Sequence, residues 1–117
     1  VILVADLYSL LGLAARVREV VSGEDFCFTA IRKQRARLII LATDAGANGA
    51  KKVHDKCAYY HVPLLVMGDR ETLGRAIGKS GRTVIGVTSA PFAQKMLQSA
   101  GVNPVSQKSD HLGGDDI

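Results

Sequence analysis

A chain of 117 residues that is 47% apolar and 22% charged can bury one ordinary core and is too apolar for a disordered polymer. No apolar run approaches the ~20 residues of a membrane helix, and no secretory pattern opens the chain, so the expected setting is the cytoplasm with no membrane partner. The formal charge is +4; one Lys and three Asp from Asn103 to Ile117 leave +6 on the residues before them, an excess suited to a polyanionic partner. In chain order, "ADLYSLLGLAARVREV" reads as a helix capped by Asp6, with Leu7, Leu10, Leu11 and Ala14 at helical spacing. "VVSG" reads as an edge strand ending in a turn at Gly23. "EDFCFTAIRKQRA" returns to helical spacing, with Phe26, Cys27 and Ala30 on its inner face. "RLIILAT" is an unbroken, β-branched apolar run, as expected of a strand covered on both faces. A helix follows from Asn48 to Tyr60 with Val53, Cys57 and Tyr60 as its apolar stripe, and then "VPLLVM" as a second buried strand. "GDRETLGRAIG" predicts a short helix capped by Asp69 and stopped by Gly78. "RTVIGVT" is a third buried strand, and "SAPFAQKMLQSAG" a closing helix opened near Ser89 and Pro91 and stopped by Gly101.

Buried strands alternating with helices imply an α/β fold with a central sheet between helix layers. One domain is expected over residues 1–102, followed by a polar, mobile tail over 103–117. The first residue is Val rather than Met, so this is not expected to be the start of the gene.

The stretch "DAGANGAKK" after "LIILAT" resembles the beginning of a phosphate loop. A nucleotide-binding loop needs G-x-x-x-x-G-K-[ST]. Here Gly46 and Gly49 are three apart and Ala50 stands in the Lys place, so the stretch reads as a strand-to-helix bend with Asn48 starting the helix. His54, Cys57 and His61 share one side of a helix at zinc-ligand spacing. Cys57 belongs to the apolar stripe, however, and no fourth ligand is evident, so no metal is expected. Cys27 and Cys57 read as reduced, buried thiols. The carboxylates are dispersed and no nucleophile–base pairing stands out, so neither catalysis nor a cofactor is expected.

Two basic groups remain. "IRKQRAR" carries Arg32, Lys33, Arg35 and Arg37; Arg70, Arg75, Lys79 and Arg82 surround "GRAIGKSGR". Charge alone leaves two readings of the first open: a solvated helix end, where cations suit the helix dipole, or a set of phosphate contacts.

Several stretches together, "LLGLAARVREVVSGED", "LIILATDAGANGAKKVHDKCAYYHVPLLVMGDRETLGRAIGKSGRTVIGVT" and "FAQKML", resemble the bacterial YlxQ-type proteins. These are small members of the ribosomal L-seven-Ae, L-thirty-e and S-twelve-e superfamily. The resemblance extends to about Ala100, with "LGLAAR", "DKCAYYHVP" and "LGRAIGK" its most specific parts. It implies a three-layer α-β-α sandwich around a four-stranded mixed sheet, RNA as ligand, no cofactor and no catalysis. The implied partners are ribosomal or other structured RNA, with a possible ribosome or translation-factor contact, for a monomer.

In kink-turn-binding relatives the RNA surface joins a G-T-N-E-x-x-K helix start, the end of the next strand, and an apolar loop before the last strand. Carried over, Gly23 keeps the Gly, whereas Glu24, Asp25, Phe26 and Thr29 take the Thr, Asn, Glu and Lys places. Lys33 matches a basic position further along, and Asp44 the acidic strand end. Arg82, Thr83, Val84 and Ile85 occupy the loop and become the candidate base contacts. With Arg32 and Arg35 these complete the implied RNA surface. The altered helix start implies a target other than a standard kink-turn, or weaker binding. The alternative is a protein-binding adaptor that keeps the fold without RNA.

Overall fold

Residues 4–101 are described by the structure, a computed structural model; the tail expected over 103–117 lies outside the described residues. The elements are α1 (Val4–Arg16), β1 (Val20–Ser22), α2 (Glu24–Arg32), β2 (Leu38–Leu41), α3 (Ala47–Tyr60), β3 (Leu64–Val66), α4 (Arg70–Ala76), β4 (Val84–Val87) and α5 (Ala90–Ser99).

The strands form one sheet in the order β1-β4-β2-β3. β4 runs antiparallel to both β1 and β2, with Ser22 opposite Ile85 and Leu41 opposite Val84. β2 and β3 are parallel, with Ile39 opposite Leu64. The sheet is therefore mixed, and helices cover both faces. Successive strand side chains point to opposite faces. Leu38, Ile40, Ile85 and Val87 accordingly pack with Leu7 and Leu11 of α1, Leu73 of α4 and Met96 of α5. Ile39, Leu41 and Val84 pack with Cys27 and Ile31 of α2 and Val53 and Cys57 of α3. This is the three-layer α-β-α sandwich the sequence and the family resemblance imply.

Local chemistry sets most boundaries. Asp69 caps α4: its Oδ1 accepts from the Thr72 N–H at 2.8 Å, and the Thr72 hydroxyl accepts from the Asp69 N–H at 3.0 Å. Ser89 caps α5, accepting from the Phe92 N–H at 3.3 Å, with Pro91 in the first turn. α1 and α2 end on left-handed residues, Arg18 at φ 62 and Gln34 at φ 59. Beyond each, an N–H reaches back five residues, from Glu19 to the Ala14 carbonyl at 2.8 Å and from Arg35 to the Ala30 carbonyl at 2.9 Å.

Several expectations are corrected. Asp6 lies inside the first turn of α1 rather than capping it. α2 stops at Arg32, four residues earlier than "EDFCFTAIRKQRA" suggests, because the chain turns at Gln34 to feed β2. Its buried stripe is Cys27, Ala30 and Ile31, which turns Phe26 outward to 70% exposure. α3 begins at Ala47 with Gly46 at its N-cap, so Asn48 does not start it. β3 is only half-buried, with Val66 exposed, because it closes one edge of the sheet.

Candidate functional site

The strand directions decide which loops meet. β1, β2 and β3 all end where β4 begins. That end of the sandwich gathers the turn at Gly23, the bend after β2, the start of α4 and the loop entering β4. Gly23, at φ 93, takes a left-handed backbone that a side chain would strain, and so turns β1 directly into α2. Its N–H donates to the Val84 carbonyl at 3.0 Å, and the Ala42 N–H donates to the Thr83 carbonyl at 2.7 Å. These bonds extend the sheet one step beyond the strands and fix the three loops side by side.

Arg82 is braced at this end. Its Nε donates to the Ser22 hydroxyl at 3.1 Å, and its Nη1 to the carbonyls of Ser80 at 2.6 Å and Gly81 at 2.8 Å. Its Nη2 makes no hydrogen bond among the described residues, leaving a charged donor available. The Arg82 N–H also donates to the Arg70 carbonyl at 3.0 Å. Arg70 in turn is held by Asp44, whose Oδ1 accepts from the Arg70 N–H at 2.9 Å. The α4–β4 loop fits closely because residue 74 is glycine: a Cβ there would meet the Gly81 nitrogen at 2.7 Å and the Lys79 carbonyl at 2.9 Å.

The start of α2 lies beside this group. Gly23 offers no side-chain cap, so first-turn N–H groups of α2 are left for a partner. Asp25 and Phe26 are exposed there. Glu24 leans toward the start of α3, its Oε2 lying 2.8 Å from where a Gly49 Cβ would stand. Asp69 is held below the usual carboxylate range by hydrogen bonds from the Thr72 N–H and hydroxyl, which keeps the start of α4 capped at neutral pH.

Of the predicted site residues, the fold brings together Gly23, Glu24, Asp25, Asp44, Arg82 and Thr83. Val84 and Ile85 lie at the same end but are 1% and 0% exposed. Their side chains fill the core on opposite faces of β4, so the base contact expected of them does not fit their burial. Arg32, Lys33 and Arg35 are not part of this group. Arg32 ends α2 and Lys33 and Arg35 follow it, and the nine residues of the helix set them about 13 Å from Gly23. The second basic group is also divided: Arg75 pairs with Glu71 at 2.9 Å and Arg70 with Asp44, whereas Arg82 keeps a free donor edge.

Sequence reasoning missed Ser22, which positions Arg82, and the pairing of Arg70 with Asp44. Both are contacts across tens of residues and leave no local pattern. Phe26 could have been placed outside: Cys27, Ala30 and Ile31 at i, i+3 and i+4 already make a complete inner stripe.

Both cysteines are free and buried. Burial pushes Cys27 up to about 12, with Cys57 nearby adding to the effect and a Gly86 backbone hydrogen bond opposing it. Burial pushes Cys57 up to about 11. These are protonated core groups. His54 and His61 are exposed whereas Cys57 is buried, and no metal-binding group of three or more such side chains is gathered among the described residues. "DAGANGAKK" bends from β2 into α3, with Lys51 paired to Asp55 at 2.7 Å.

The family described as "Ribosomal protein L7Ae/L30e/S12e/Gadd45 family" matches residues 5–97. A protein of Bacillus subtilis (strain 168) named "RNA-binding protein YlxQ" is 52% identical over 92 residues, covering 79% of this chain and 92% of that one. A protein of the same name from Enterococcus faecium is 37% identical over 87 residues, covering 74% and 84%. Among solved structures, a protein of unknown function from Bacillus halodurans C matches with a TM-score of 0.80 at 45% identity, covering 83% of this chain and 98% of that one. The Giardia lamblia 15.5kD RNA binding protein matches with a TM-score of 0.75 at 19% identity, covering 84% and 87%, a likeness of fold.

Proposed function

Because this chain belongs to the ribosomal protein L7Ae/L30e/S12e/Gadd45 family, with YlxQ proteins among its relatives, we propose that it is a non-catalytic RNA-binding protein. It takes structured RNA at the end that carries Gly23, Asp25, Phe26, Asp44 and Arg82. One observation carries this reading: Arg82 is braced through Nε and Nη1 beside the uncapped start of α2, with Nη2 left open. A pre-positioned guanidinium next to free backbone N–H groups suits a distorted phosphate backbone.

The chemistry favours unpaired bases over paired ones. Proteins read RNA sequence mainly where bases are unstacked. Exposed Phe26 offers a face to stack on, and the Asp25 carboxylate accepts from guanine N–H groups while repelling phosphate. The ligand is therefore an internal loop, of the kink-turn class or another, in ribosomal or other structured RNA, bound by a monomer in the cytoplasm. No helix among the described residues is long and apolar enough to cross a membrane.

The test compares a kink-turn RNA, an RNA with a different internal loop, and a fully paired duplex of equal length. A loop RNA binds at least about tenfold more tightly than the duplex, and Arg82→Gln removes about that factor, as expected for losing a charged hydrogen bond. Equal affinity for all three sinks the reading. The exposed Phe26 also favours a second reading, a protein-binding adaptor that meets a translation factor. A protein partner retained after ribonuclease treatment distinguishes it.

A further inference from the structure

The end of the sandwich opposite Arg82 carries six exposed cations that form no ion pair among the described residues. Arg16 and Arg18 follow from the end of α1, Arg32 and Lys33 from the end of α2, and Arg35 and Arg37 from the approach to β2; all six are exposed. Among the described residues none of them forms an ion pair; the pairs present involve Lys51, Arg70 and Arg75. Arg18, Arg35 and Arg37 come from two separate connections and line one groove of about 360 Å³ with Gln34 and Thr88. Glu19 lines it too, its Oε1 accepting from the Thr88 hydroxyl at 3.0 Å, so three cations face one anion there.

A plain helix-end effect accounts for only part of this. Cations at a helix C-terminus gain ~0.3–1 kcal/mol from the dipole, which covers Arg16, Arg18, Arg32 and Lys33. It does not cover Arg35 and Arg37, which have left the helix. Arg18 also occupies a left-handed position, φ 62, where glycine would be cheaper. Arg18, Arg35 and Arg37, lining one groove, repel one another, and a polyanion relieves that repulsion.

We infer that Arg18, Arg35 and Arg37, with Arg32 and Lys33 just before Arg35 on the chain at the end of α2, form a second nucleic-acid contact, which takes the phosphate backbone of an RNA helix. The groove sets three guanidinium groups against one carboxylate, so it suits phosphates rather than base edges. It goes beyond the loop recognition proposed above and acts separately from it. The nine residues of α2 set the two faces about 13 Å apart, more than the Debye length of ~8 Å at physiological salt. One molecule then grips a loop at one end and a helix at the other.

The probe is a blunt RNA duplex without loops, titrated over a range of salt. Each phosphate contact removed lowers the salt slope by roughly 0.7–0.9. Arg18→Asn with Arg35→Gln and Arg37→Gln lowers the slope by about 2 and weakens duplex binding at least about tenfold at low salt. Asn is chosen at 18 because it tolerates the left-handed backbone. Arg32→Gln with Lys33→Gln lowers the slope independently and serves as a second variant on the same face. Arg82→Gln leaves the duplex slope within about one contact of wild type. Unchanged duplex binding in both basic-face variants overturns the inference, as an acidic protein occupant would require. An equal loss on Arg82→Gln overturns it as well, since the two ends would then act as one face. Absence of loop preference in the wild type, with the duplex slope still falling in the variants, refutes the proposed loop recognition and leaves this inference standing.

Discussion

Asp44 and Arg70 hold each other across the end of the sheet. The Arg70 N–H donates to Asp44 Oδ1 at 2.9 Å, Arg70 Nη2 donates to the Asp44 carbonyl at 2.9 Å, and Nε donates to Oδ2 at 3.3 Å. The Arg70 carbonyl then accepts from the Arg82 N–H at 3.0 Å. Asp44 therefore acts through the framework: it ties the bend after β2 to α4, and α4 to the loop that carries Arg82. Asp44→Ala is expected to lower stability by about 1 kcal/mol, since the pair is half-exposed but leaves the first N–H of α4 without its partner. Urea denaturation measures this, and an unchanged midpoint would contradict it.

Gly74 sets two effects against each other. Alanine in a helix gains up to ~1 kcal/mol over glycine, but the added Cβ would stand 2.7 Å from the Gly81 nitrogen and 2.9 Å from the Lys79 carbonyl, both main-chain atoms. Overpacking of this kind costs about 1–3 kcal/mol, so Gly74→Ala is expected to destabilise on balance and to displace the loop before Arg82. Thermal unfolding decides the sign; a raised melting temperature would show that the loop yields freely.

Phe26 separates stability from binding. At 70% exposure it contributes little to the core, so Phe26→Ala should change stability by no more than about 0.5 kcal/mol. If an unpaired base stacks on it, loop-RNA affinity falls by about 1–3 kcal/mol. A melt and a titration of the same preparation give both numbers. Full affinity in the variant would remove Phe26 from the contact surface.

The thiols give an alkaline dependence. Folding raises Cys27 from 9.0 to about 12 and Cys57 to about 11, so above pH 9 the native state holds protons that the unfolded chain releases. Their contribution to stability is whole below that pH and is lost as pH rises toward 11 and 12. Each thiol contributes at most about 1.4 kcal/mol per pH unit within its window. Unfolding free energies measured across that range should decline more gently in Cys27→Ala. Identical slopes in wild type and variant would exclude the thiol as a source.

Much of this fold was readable from local chemistry. Asp69 and Ser89 announced helix starts because a short polar side chain can bond a first-turn N–H wherever the chain runs. "LIIL" announced a strand buried on both faces, and Gly78 and Gly101 marked helix stops. The alternation of buried strands with helices implied a central sheet between helix layers, and the resemblance to YlxQ-type proteins added that the sheet is four-stranded and mixed. Errors fell where tertiary context competes with pattern. β3 looks as apolar as β2 but lies at an edge, and Phe26 looks like core but flanks a stripe already complete with Cys27, Ala30 and Ile31.

The candidate site was less legible for the same reason. Periodicity reports which side of a helix or strand is buried and carries no record of where its two ends point. The resemblance to YlxQ-type proteins, carried over position by position, named Gly23, Asp44 and Arg82 as members of one implied surface, which residue types and caps alone do not do. That Arg32, Lys33 and Arg35 lie at the other end follows from β4 running against β1 and β2, and Val84 and Ile85 are sealed inside because β4 is a central strand packed on both faces. The sheet pairing fixes strand direction, strand direction sorts the loops between the two ends, and hydrogen bonds as distant in sequence as Ser22 to Arg82 then set the side chains.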